Sequence, residues 1–268
     1  MDVQHHYKAR ERKIMSKNRL STKENWGEYW ASNKHIQHVS EKYCYHDFIK
    51  RAAEKAKPKG ECIELGGFPG KFSIFLKKYC RMNPTLIDFH LDETKVGELM
   101  EFNGLNYHDI KCIKDDIFLN TPSTQYDLVC SFGLIEHFLN VKEILGVHLK
   151  YLKPNGVLLI SLPNFRGING LLQRFFDPAT LAIHNLKIMD PVLLRNALND
   201  LGLIDIEVIY YPSTQVWLEN LEQRGLFLNI LLRVVDRLMT LSGSLFGNQN
   251  KIISNTIILM AKSRAAIE

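Results

Sequence analysis

The chain has 268 residues and a net charge of +5, and 46% of its residues are hydrophobic and 24% charged. This composition is ordinary for a globular protein with a sizeable core. The five cysteines are odd in number and lack CxxC spacing, which argues against a disulfide framework or a zinc site and predicts a reducing compartment. There is no signal-like apolar stretch at the N-terminus and no run of about 18 uncharged apolar residues, so we expect a cytoplasmic location.

Residues 1–39 are predicted to form a basic and aromatic helical segment ahead of the main domain. The first 23 residues contain seven lysines and arginines, and the only acidic residues among them are Asp2 and Glu11. Such an arm suits RNA or an anionic lipid, but no RNA-binding signature accompanies it, so a solvated terminus is the favoured interpretation. The aromatic cluster Trp26, Tyr29 and Trp30 is expected to pack in the core.

Residues 40–268 are predicted to form one domain, in which short β-like runs alternate with helical patterns from Gly60 onward. This alternation is typical of an α/β fold with a doubly wound, mostly parallel sheet covered by helices on both faces. The seven predicted strands are Cys62–Leu65, Thr85–Phe89, Lys111–Lys114, Tyr126–Ser131, Val157–Leu162, Asp205–Tyr210 and Ser254–Ala261.

Three helices have clear sequence signals. One is predicted from Ser40 to Lys57. A second begins after Asn140, whose side chain can cap it, and ends at the turn sequence 153–156. A third is opened by Asp190-Pro191, a capping residue followed by proline at the first helical position, and closes at Leu201-Gly202.

Two insertions, near 163–189 and 212–250, are expected to act as lids. The first is predicted to be rich in loops, and the second is too long to be a plain connection. Within the second, Leu226–Phe246 has the pattern of a helix with a polar stripe and a broad apolar face. Packing on the domain, a homodimer partner, or a membrane surface or lipid substrate would cover this face, in that order of preference.

The strand around Cys62–Leu65 leads into a glycine turn, Gly66-Gly67-Phe68-Pro69-Gly70, and then into a helical pattern. A phosphate-binding P-loop needs four residues between its glycines and a serine or threonine after its lysine. Here three residues separate Gly66 from Gly70, and Phe72 follows Lys71. The P-loop hypothesis therefore fails.

A dinucleotide fingerprint would need glycine at position 65, which is leucine, although Gly67 and Gly70 fit its last two places. That hypothesis is weakened. Glu64 ends the strand before the turn. Its carboxylate would oppose a pyrophosphate but suits the cationic amino group of a methionine moiety.

The run from Glu64 to Gly70 resembles the E/D-x-G-x-G-x-G loop of class I S-adenosylmethionine (SAM)-dependent methyltransferases, with Phe68 in the place of the middle glycine. The backbone at Phe68 therefore either avoids positive φ or bears a cost of about 1–2 kcal/mol. Tyr126–His137 resembles the family's fourth-strand motif, and Leu152–Ser161 its "LKPGG" turn and fifth strand. The resemblance covers about residues 40 to 210 and implies a Rossmann-like sheet of seven strands.

The resemblance implies SAM as the cofactor and assigns roles to acids at strand ends. Asp88 is expected to accept hydrogen bonds from the ribose hydroxyls, and Asp116 to face the adenine amino group while Ile117 packs on the ring. A lone acid at a strand end is more often a turn residue or a helix cap, but the order of these acids after Glu64 argues against coincidence. The cofactor-binding residues predicted in this way are Glu64, Gly66, Gly67, Gly70, Asp88, Phe89, Asp116, Ile117 and Ser131.

Two histidines are the predicted catalytic residues. A hydroxyl that accepts a methyl group must lose its proton, and neutral histidine is the natural base near pH 7. His137 follows the fourth strand at the carboxyl edge of the sheet, although it equally suits a supporting role at a helix start; His184 lies in the first insertion. Glu136-His137 looks like the second half of the E-x-x-E-H metal motif of ubiquinone-biosynthesis and small-RNA 2′-O-methyltransferases. Gly133 replaces its first glutamate, so we expect no metal.

The expected acceptor is a hydroxyl of a small molecule, a sugar or a biosynthetic intermediate. The segment Ser161–Asn164 and the downstream His184-Asn185 look like those of bacterial methyltransferases of that kind. A lipid-like or quinone acceptor with peripheral membrane contact through 226–246, an RNA substrate bound by the basic arm, and a non-catalytic SAM-binding protein remain alternatives.

Overall fold

Seven strands form a single sheet in the computed structural model, which describes residues 18–32, 35–213 and 250–265, together with 216, 218, 233–235, 237 and 238. The strands are β1 (Glu61–Leu65), β2 (Asn83–Ile87), β3 (Lys111–Ile113), β4 (Tyr126–Phe132), β5 (Leu152–Pro163), β6 (Ile204–Tyr211) and β7 (Thr256–Lys262). The helices are α1 (Lys23–Ser32), α2 (His46–Lys55), α3 (Lys71–Cys80), α4 (Glu93–Phe102), α5 (Val141–Tyr151), α6 (Ile168–Phe176), α7 (Pro178–Ala182) and α8 (Pro191–Asp200), with a 3₁₀ turn at Ile135–His137.

The strand order is β3-β2-β1-β4-β5-β7-β6. Strands β1 to β5 pair in parallel, and β7 is antiparallel to both of its neighbours, β5 and β6. The predicted α/β fold with a mostly parallel sheet of seven strands is therefore confirmed. The strand order reverses between β1 and β4, and the carboxyl ends of the strands on either side of such a reversal form the crevice where open α/β sheets bind ligands.

The central strands are almost wholly apolar because helices cover both faces of the sheet. On one face the core includes Ile144 of α5 and Leu194 of α8. On the other face it includes Ile49 of α2, Ile74 of α3 and Leu99 of α4. The two layers hold the strands rigidly, so the side chains at the strand ends are fixed relative to one another.

Two predicted helix starts are confirmed. The Asn140 side chain accepts a hydrogen bond from the Glu143 amide at 3.3 Å and begins α5. The Asp190 carboxylate accepts from the Val192 amide at 2.9 Å, with Pro191 at the first helical position of α8. Gly202, with φ of 80°, lies just beyond the end of α8, as its sequence position predicts.

Three local predictions differ from the structure. The helix predicted from Ser40 begins at His46, because residues 40–45 form turns and Tyr45 takes a left-handed φ of 58°. Strand β5 begins at Leu152, directly after α5, rather than at Val157. The stretch 163–189, predicted to be rich in loops, contains α6 and α7.

The basic arm before residue 18 and most of the 212–250 insertion lie outside the described residues, and so does most of the predicted helix Leu226–Phe246. The residues described within that helix, 233–235, 237 and 238, are helical. In the part of the chain that is described, no helix combines the length and apolar character needed to cross a membrane.

Candidate functional site

The glycine turn leaves β1 with two residues in the left-handed region, Gly66 (φ +64°) and Gly70 (φ +98°). The Gly66 amide donates to the Ile87 carbonyl at 2.8 Å, which fixes the turn to the end of β2. A Cβ on Gly66 would overlap the side chain of Leu134. Glycine is therefore required at this position both by backbone conformation and by space.

Glu64 lies beneath this turn. Its carboxylate accepts hydrogen bonds from the Ser73 amide at 2.8 Å and the Ser73 hydroxyl at 2.5 Å, and so joins the end of β1 to the first turn of α3. A Cβ on Gly67 would overlap the Glu64 carboxyl group. Burial raises the pKa of Glu64 to about 8. The structure thus places Glu64 under the loop as a support.

The backbone at Phe68 avoids positive φ, so the residue that departs from the family pattern bears no left-handed strain. Its amide donates to the Asp88 carboxylate at 3.2 Å. Its ring is buried and packs edge-on against Trp30, with 5.1 Å between ring centroids. Phe68 therefore forms part of the wall of the adjoining cavity.

A cavity of about 50 Å³ opens beside the turn, at the carboxyl edge of the sheet. Its wall combines apolar and aromatic side chains with a carboxylate and a histidine. The lining residues are Arg19, Ser21, Trp26, Trp30, Gly66, Phe68, Asp88, Phe89, Ile117, Gly133, Leu134, His137 and Phe138.

Asp88 supplies the carboxylate of this wall, at the end of β2. One oxygen accepts from the Phe68 amide, and the other accepts from the His90 amide at 2.7 Å. Burial raises the pKa of Asp88 above its ordinary value. The group is held in a fixed orientation by the loop it supports, and it borders the cavity as the predicted ribose acceptor would.

Asp116 pairs with Arg19. The guanidinium lies 2.6 and 2.7 Å from the two carboxylate oxygens. It also lies 5.2 Å from the ring centroid of Phe118 and 5.9 Å from those of Phe89 and Phe138. Ile117 lines the cavity as predicted, whereas the predicted adenine-facing acid is already engaged by the N-terminal segment.

The N-terminal segment 18–32 covers the cavity. Its backbone is tied to the 3₁₀ turn region, since the Leu20 amide donates to the His137 carbonyl and the Leu139 amide donates to the Asn18 carbonyl, each at 2.8 Å. The Trp26 ring packs edge-on against His137 at 5.0 Å. Trp26 and Trp30, expected in the core, instead line the cavity.

Ser131 lies inside the sheet and does not line the cavity. Its hydroxyl is 2.9 Å from Nε2 of His148 in α5. Because Nδ1 of His148 donates to the Ile144 carbonyl at 2.8 Å, Nε2 is the acceptor for the serine. Burial lowers the pKa of His148 to about 4, so this pair is neutral.

The two predicted catalytic histidines lie together, with ring centroids 4.6 Å apart. Nδ1 of His137 donates to the Ile183 carbonyl at 2.9 Å, and Nδ1 of His184 donates to the Thr180 carbonyl at 2.6 Å. Burial lowers the pKa of His137 to about 3 and also lowers that of His184. Both rings are therefore neutral, and Nε2 carries the lone pair in each.

Glu136 joins these histidines, although it was predicted only as their neighbour in a motif. It is 1% exposed, and neither carboxylate oxygen has a hydrogen-bond partner among the described residues. Burial raises its pKa to about 8. The Asn185 amide donates to the Glu136 carbonyl at 2.7 Å and the Asn185 side chain to the Phe138 carbonyl at 2.9 Å, so loop and turn are fastened together.

The residues of the cavity fit SAM. Gly66 brings backbone without a side chain to the cavity wall, Asp88 offers a carboxylate to hydroxyl donors, and Ile117 offers an apolar face. Of the predicted cofactor residues, Glu64, Gly67, Gly70, Asp116 and Ser131 do not line the cavity. Trp26 and Trp30, which line the cavity but were not predicted to do so, carried a signal in their spacing along one face of a helix. The other lining residues that the sequence interpretation missed are Arg19, Ser21, Gly133, Leu134 and Phe138.

Comparison with known proteins identifies the family. A family model described as a methyltransferase domain matches residues 34–208. A SAM-dependent methyltransferase from Archaeoglobus fulgidus has a similar structure, with a TM-score of 0.52 and 17% identity over 81% of this chain and 92% of that chain. Phosphoethanolamine N-methyltransferase 2 from Haemonchus contortus, solved with SAM, has a TM-score of 0.55 and 17% identity, over 81% of this chain and 51% of that chain. For an O-methyltransferase family protein from Burkholderia thailandensis the TM-score is 0.51 and the identity 13%, over 82% of this chain and 55% of that chain.

These identities show a shared fold, and the present chain spans about half the length of the latter two proteins. A comparison with curated protein sequences finds no match. The family model, however, matches more than half of the chain. The chain belongs to the methyltransferase domain family and is a SAM-dependent methyltransferase.

Proposed function

We propose that the enzyme transfers the methyl group of SAM to a hydroxyl of a small molecule that binds against Glu136, His137 and His184. The observation that carries this proposal is the position of His137, which borders the cavity on one side and contacts His184 on the other. The three polar side chains are thereby placed beside the predicted cofactor site, at the carboxyl edge of the sheet.

When bound, SAM supplies an electrophilic methyl group on a sulfonium. Gly66, Asp88 and Ile117 would hold it along the cavity wall. Methyl transfer is an in-line displacement, so the remaining tasks of the chain are to align the acceptor and to exclude water. Trp26 and Trp30 cover the cavity and serve the second task.

A hydroxyl acceptor suits the charge state of this cluster. Two neutral imidazoles and a buried carboxyl group offer lone pairs to an O–H donor. An uncharged hydroxyl also costs less to bury there than an ammonium ion would. The predicted catalytic roles of His137 and His184 are part of this proposal.

The test is methylation of a panel of model acceptors that carry either a hydroxyl, an amine or a carboxyl group, with product analysis by mass spectrometry. We expect a mass gain of one methyl group on oxygen, in a product that withstands alkaline hydrolysis. Methylation confined to amines, or a base-labile methyl ester as the product, would overturn the hydroxyl assignment. Absence of SAM and of S-adenosylhomocysteine binding in calorimetry would contradict the site as a whole.

A lipid-like acceptor is a second candidate because the surface near the cluster exposes apolar side chains. Leu171 and Phe175 of α6 are 56% and 71% exposed. Leu171 borders an open groove of about 750 Å³, which Arg166 and Arg174 also line. Such a combination suits an anionic, lipid-rich surface. Co-sedimentation with phosphatidylglycerol vesicles that is lost in a Leu171→Ser, Phe175→Ser variant would favour it, and no sedimentation of the wild type would count against it.

A further inference from the structure

We propose that Glu136, His137 and His184 form a binding site for one divalent transition-metal ion of the zinc type. One ligand atom from each of these residues lies within 4.8 Å of the ligand atoms of the other two. Two histidines and one glutamate are a donor set that zinc uses in catalytic sites, with the remaining position left open. The sequence interpretation expected no metal, since Gly133 takes the place of a fourth ligand.

The first support is the Glu136 carboxyl group. It is almost fully buried, and both of its oxygens lack a hydrogen-bond partner in the described part of the chain. Buried polar groups are nearly always paired, and leaving a buried carboxyl group unpaired costs free energy. A bound cation would satisfy both oxygens.

The second support is the way the histidines are held. Each Nδ1 donates to a backbone carbonyl, His137 to Ile183 and His184 to Thr180. This outer hydrogen bond is the one that orients most metal-binding histidines and fixes their tautomer. It leaves the lone pair of each ring on Nε2, which is the form of histidine that binds a metal.

The third support is that the ligands sit on a preformed frame. They come from two short segments, the 3₁₀ turn and the loop after α7, which Asn185 links through the Glu136 and Phe138 carbonyls. Around zinc, ligand atoms of a tetrahedral site are about 3.4 Å apart, given bond lengths near 2.1 Å. The present separations of up to 4.8 Å therefore call for side-chain adjustment of little more than 1 Å, without a change of fold.

Aromatic rings border the site on one side, and the cavity borders it on another. The rings of Trp26 and Phe165 pack against His137 and His184, respectively. His137 also borders the cavity, so a water molecule or an acceptor oxygen could take the open position of the ion. This last step rests on the proposed function and makes the two histidines ligands instead of bases: a hydroxyl bound to the ion would release its proton to solvent water more readily. The metal site itself stands without it.

Direct metal binding is the test. Metal-free enzyme is titrated with Zn²⁺, Mn²⁺ and Mg²⁺ in a calorimeter and with Co²⁺ in a visible spectrophotometer. We expect one equivalent of Zn²⁺ and of Co²⁺ to bind, with Mg²⁺ much weaker because nitrogen ligands dominate. Glu136→Gln and His184→Ala should each weaken Zn²⁺ binding by about 100-fold or more, while His108→Ala, a change of an exposed histidine, should not alter it.

A further variant reports coordination directly. In His184→Cys, the Co²⁺ complex should acquire a thiolate-to-cobalt charge-transfer band that the wild type lacks. Circular dichroism and S-adenosylhomocysteine binding show that each variant is folded. Wild-type protein that binds no Zn²⁺ or Co²⁺, folded ligand variants that bind Zn²⁺ like the wild type, or a cysteine variant whose Co²⁺ complex lacks the new band would each overturn the site. If only the proposed function is wrong, the enzyme will bind metal but will not methylate hydroxyl groups.

Discussion

Glu64 has a structural role that its sequence signal did not reveal. From the sequence, its carboxylate is predicted to bind the amino group of the cofactor. The structure places it under Gly67, bonded to the amide and hydroxyl of Ser73. An acid at this position therefore fixes the shape of the glycine turn.

Gly67→Ala tests this support. The new methyl group would overlap the Glu64 carboxyl, so either the turn or the acid must move. We expect a loss of about 1–3 kcal/mol in the free energy of unfolding and weaker SAM binding. The matched control is Gly146→Ala in α5, where an added Cβ meets nothing within 4 Å. That variant should be stabilised by up to about 1 kcal/mol. Equal thermal denaturation curves for both variants would contradict the interpretation.

Asp88→Ala tests the carboxylate of the cavity wall. We expect SAM to bind more weakly by about 1–3 kcal/mol, because a charged acceptor and the anchor of the Phe68 amide are lost together. Asp92→Ala is the control, since Asp92 caps α4 and does not line the cavity. The Asp92→Ala change should lower the free energy of unfolding by about 1 kcal/mol and leave the affinity for SAM unchanged. Calorimetry with unchanged affinity in Asp88→Ala would remove the residue from the cofactor site.

At the scale of elements, segment 18–32 is the part of the site that sequence patterns assigned elsewhere. Its tryptophans have the spacing of a helix face, and a helix face of aromatic residues predicts burial without saying against what. Arg19 shows no local signal at all, because its partner Asp116 lies 97 residues away in sequence. Contacts of this range depend on the completed sheet.

Arg19→Ala should loosen this segment. In the partly buried ion pair with Asp116, Nη2 of Arg19 contacts both carboxylate oxygens, and three phenyl rings surround the guanidinium. If the closed position of the segment loses about 1–1.5 kcal/mol of stabilisation, S-adenosylhomocysteine should be released about 5–10-fold faster. Stopped-flow tryptophan fluorescence measures the rate, because Trp26 and Trp30 line the cavity. Lys142→Ala, which removes an exposed ion pair with Asp200, is the control. An unaltered release rate in Arg19→Ala would show that the pair does not hold the segment closed.

For the whole molecule, buried titratable groups make stability depend on pH in opposing ways. Burial lowers the pKa of His148 from 6.5 to about 4, so the unfolded chain binds more protons between these values and the stabilising contribution is lost as the pH falls through this range. Burial raises the pKa of Glu64 and Glu136 from 4.5 to about 8, so their stabilising contribution to the folded protein is lost as the pH rises through this range. The two effects therefore oppose each other where their ranges overlap, between pH 4.5 and 6.5, and above pH 6.5 the effect of the glutamates remains.

A difference measurement isolates His148. We compare the free energy of unfolding of the wild type with that of His148→Gln. Glu64 and Glu136 are present in both proteins, so their contributions cancel in the difference. The advantage of the wild type should shrink by about 3 kcal/mol between pH 7 and pH 4. A gap that stays constant over this range would mean that His148 is protonated in the folded protein, or exposed.

The architecture was largely predictable, because apolar periodicity and turn residues report local structure. The seven strands and the starts of α5 and α8 follow from such patterns. The candidate site was predictable in part: Gly66, Asp88, Phe89, Ile117 and His137 line the cavity. The orientation of Glu64, the partner of Asp116 and the unpaired carboxyl of Glu136 were not, since each depends on packing between distant segments.

Segment 18–32 touches both halves of the site, with Arg19 at the cofactor side and Trp26 against His137. A displacement that admits the cofactor therefore also uncovers the histidines. Access to the two compartments is therefore coupled through one short segment, whose contacts with both are made by neighbouring side chains.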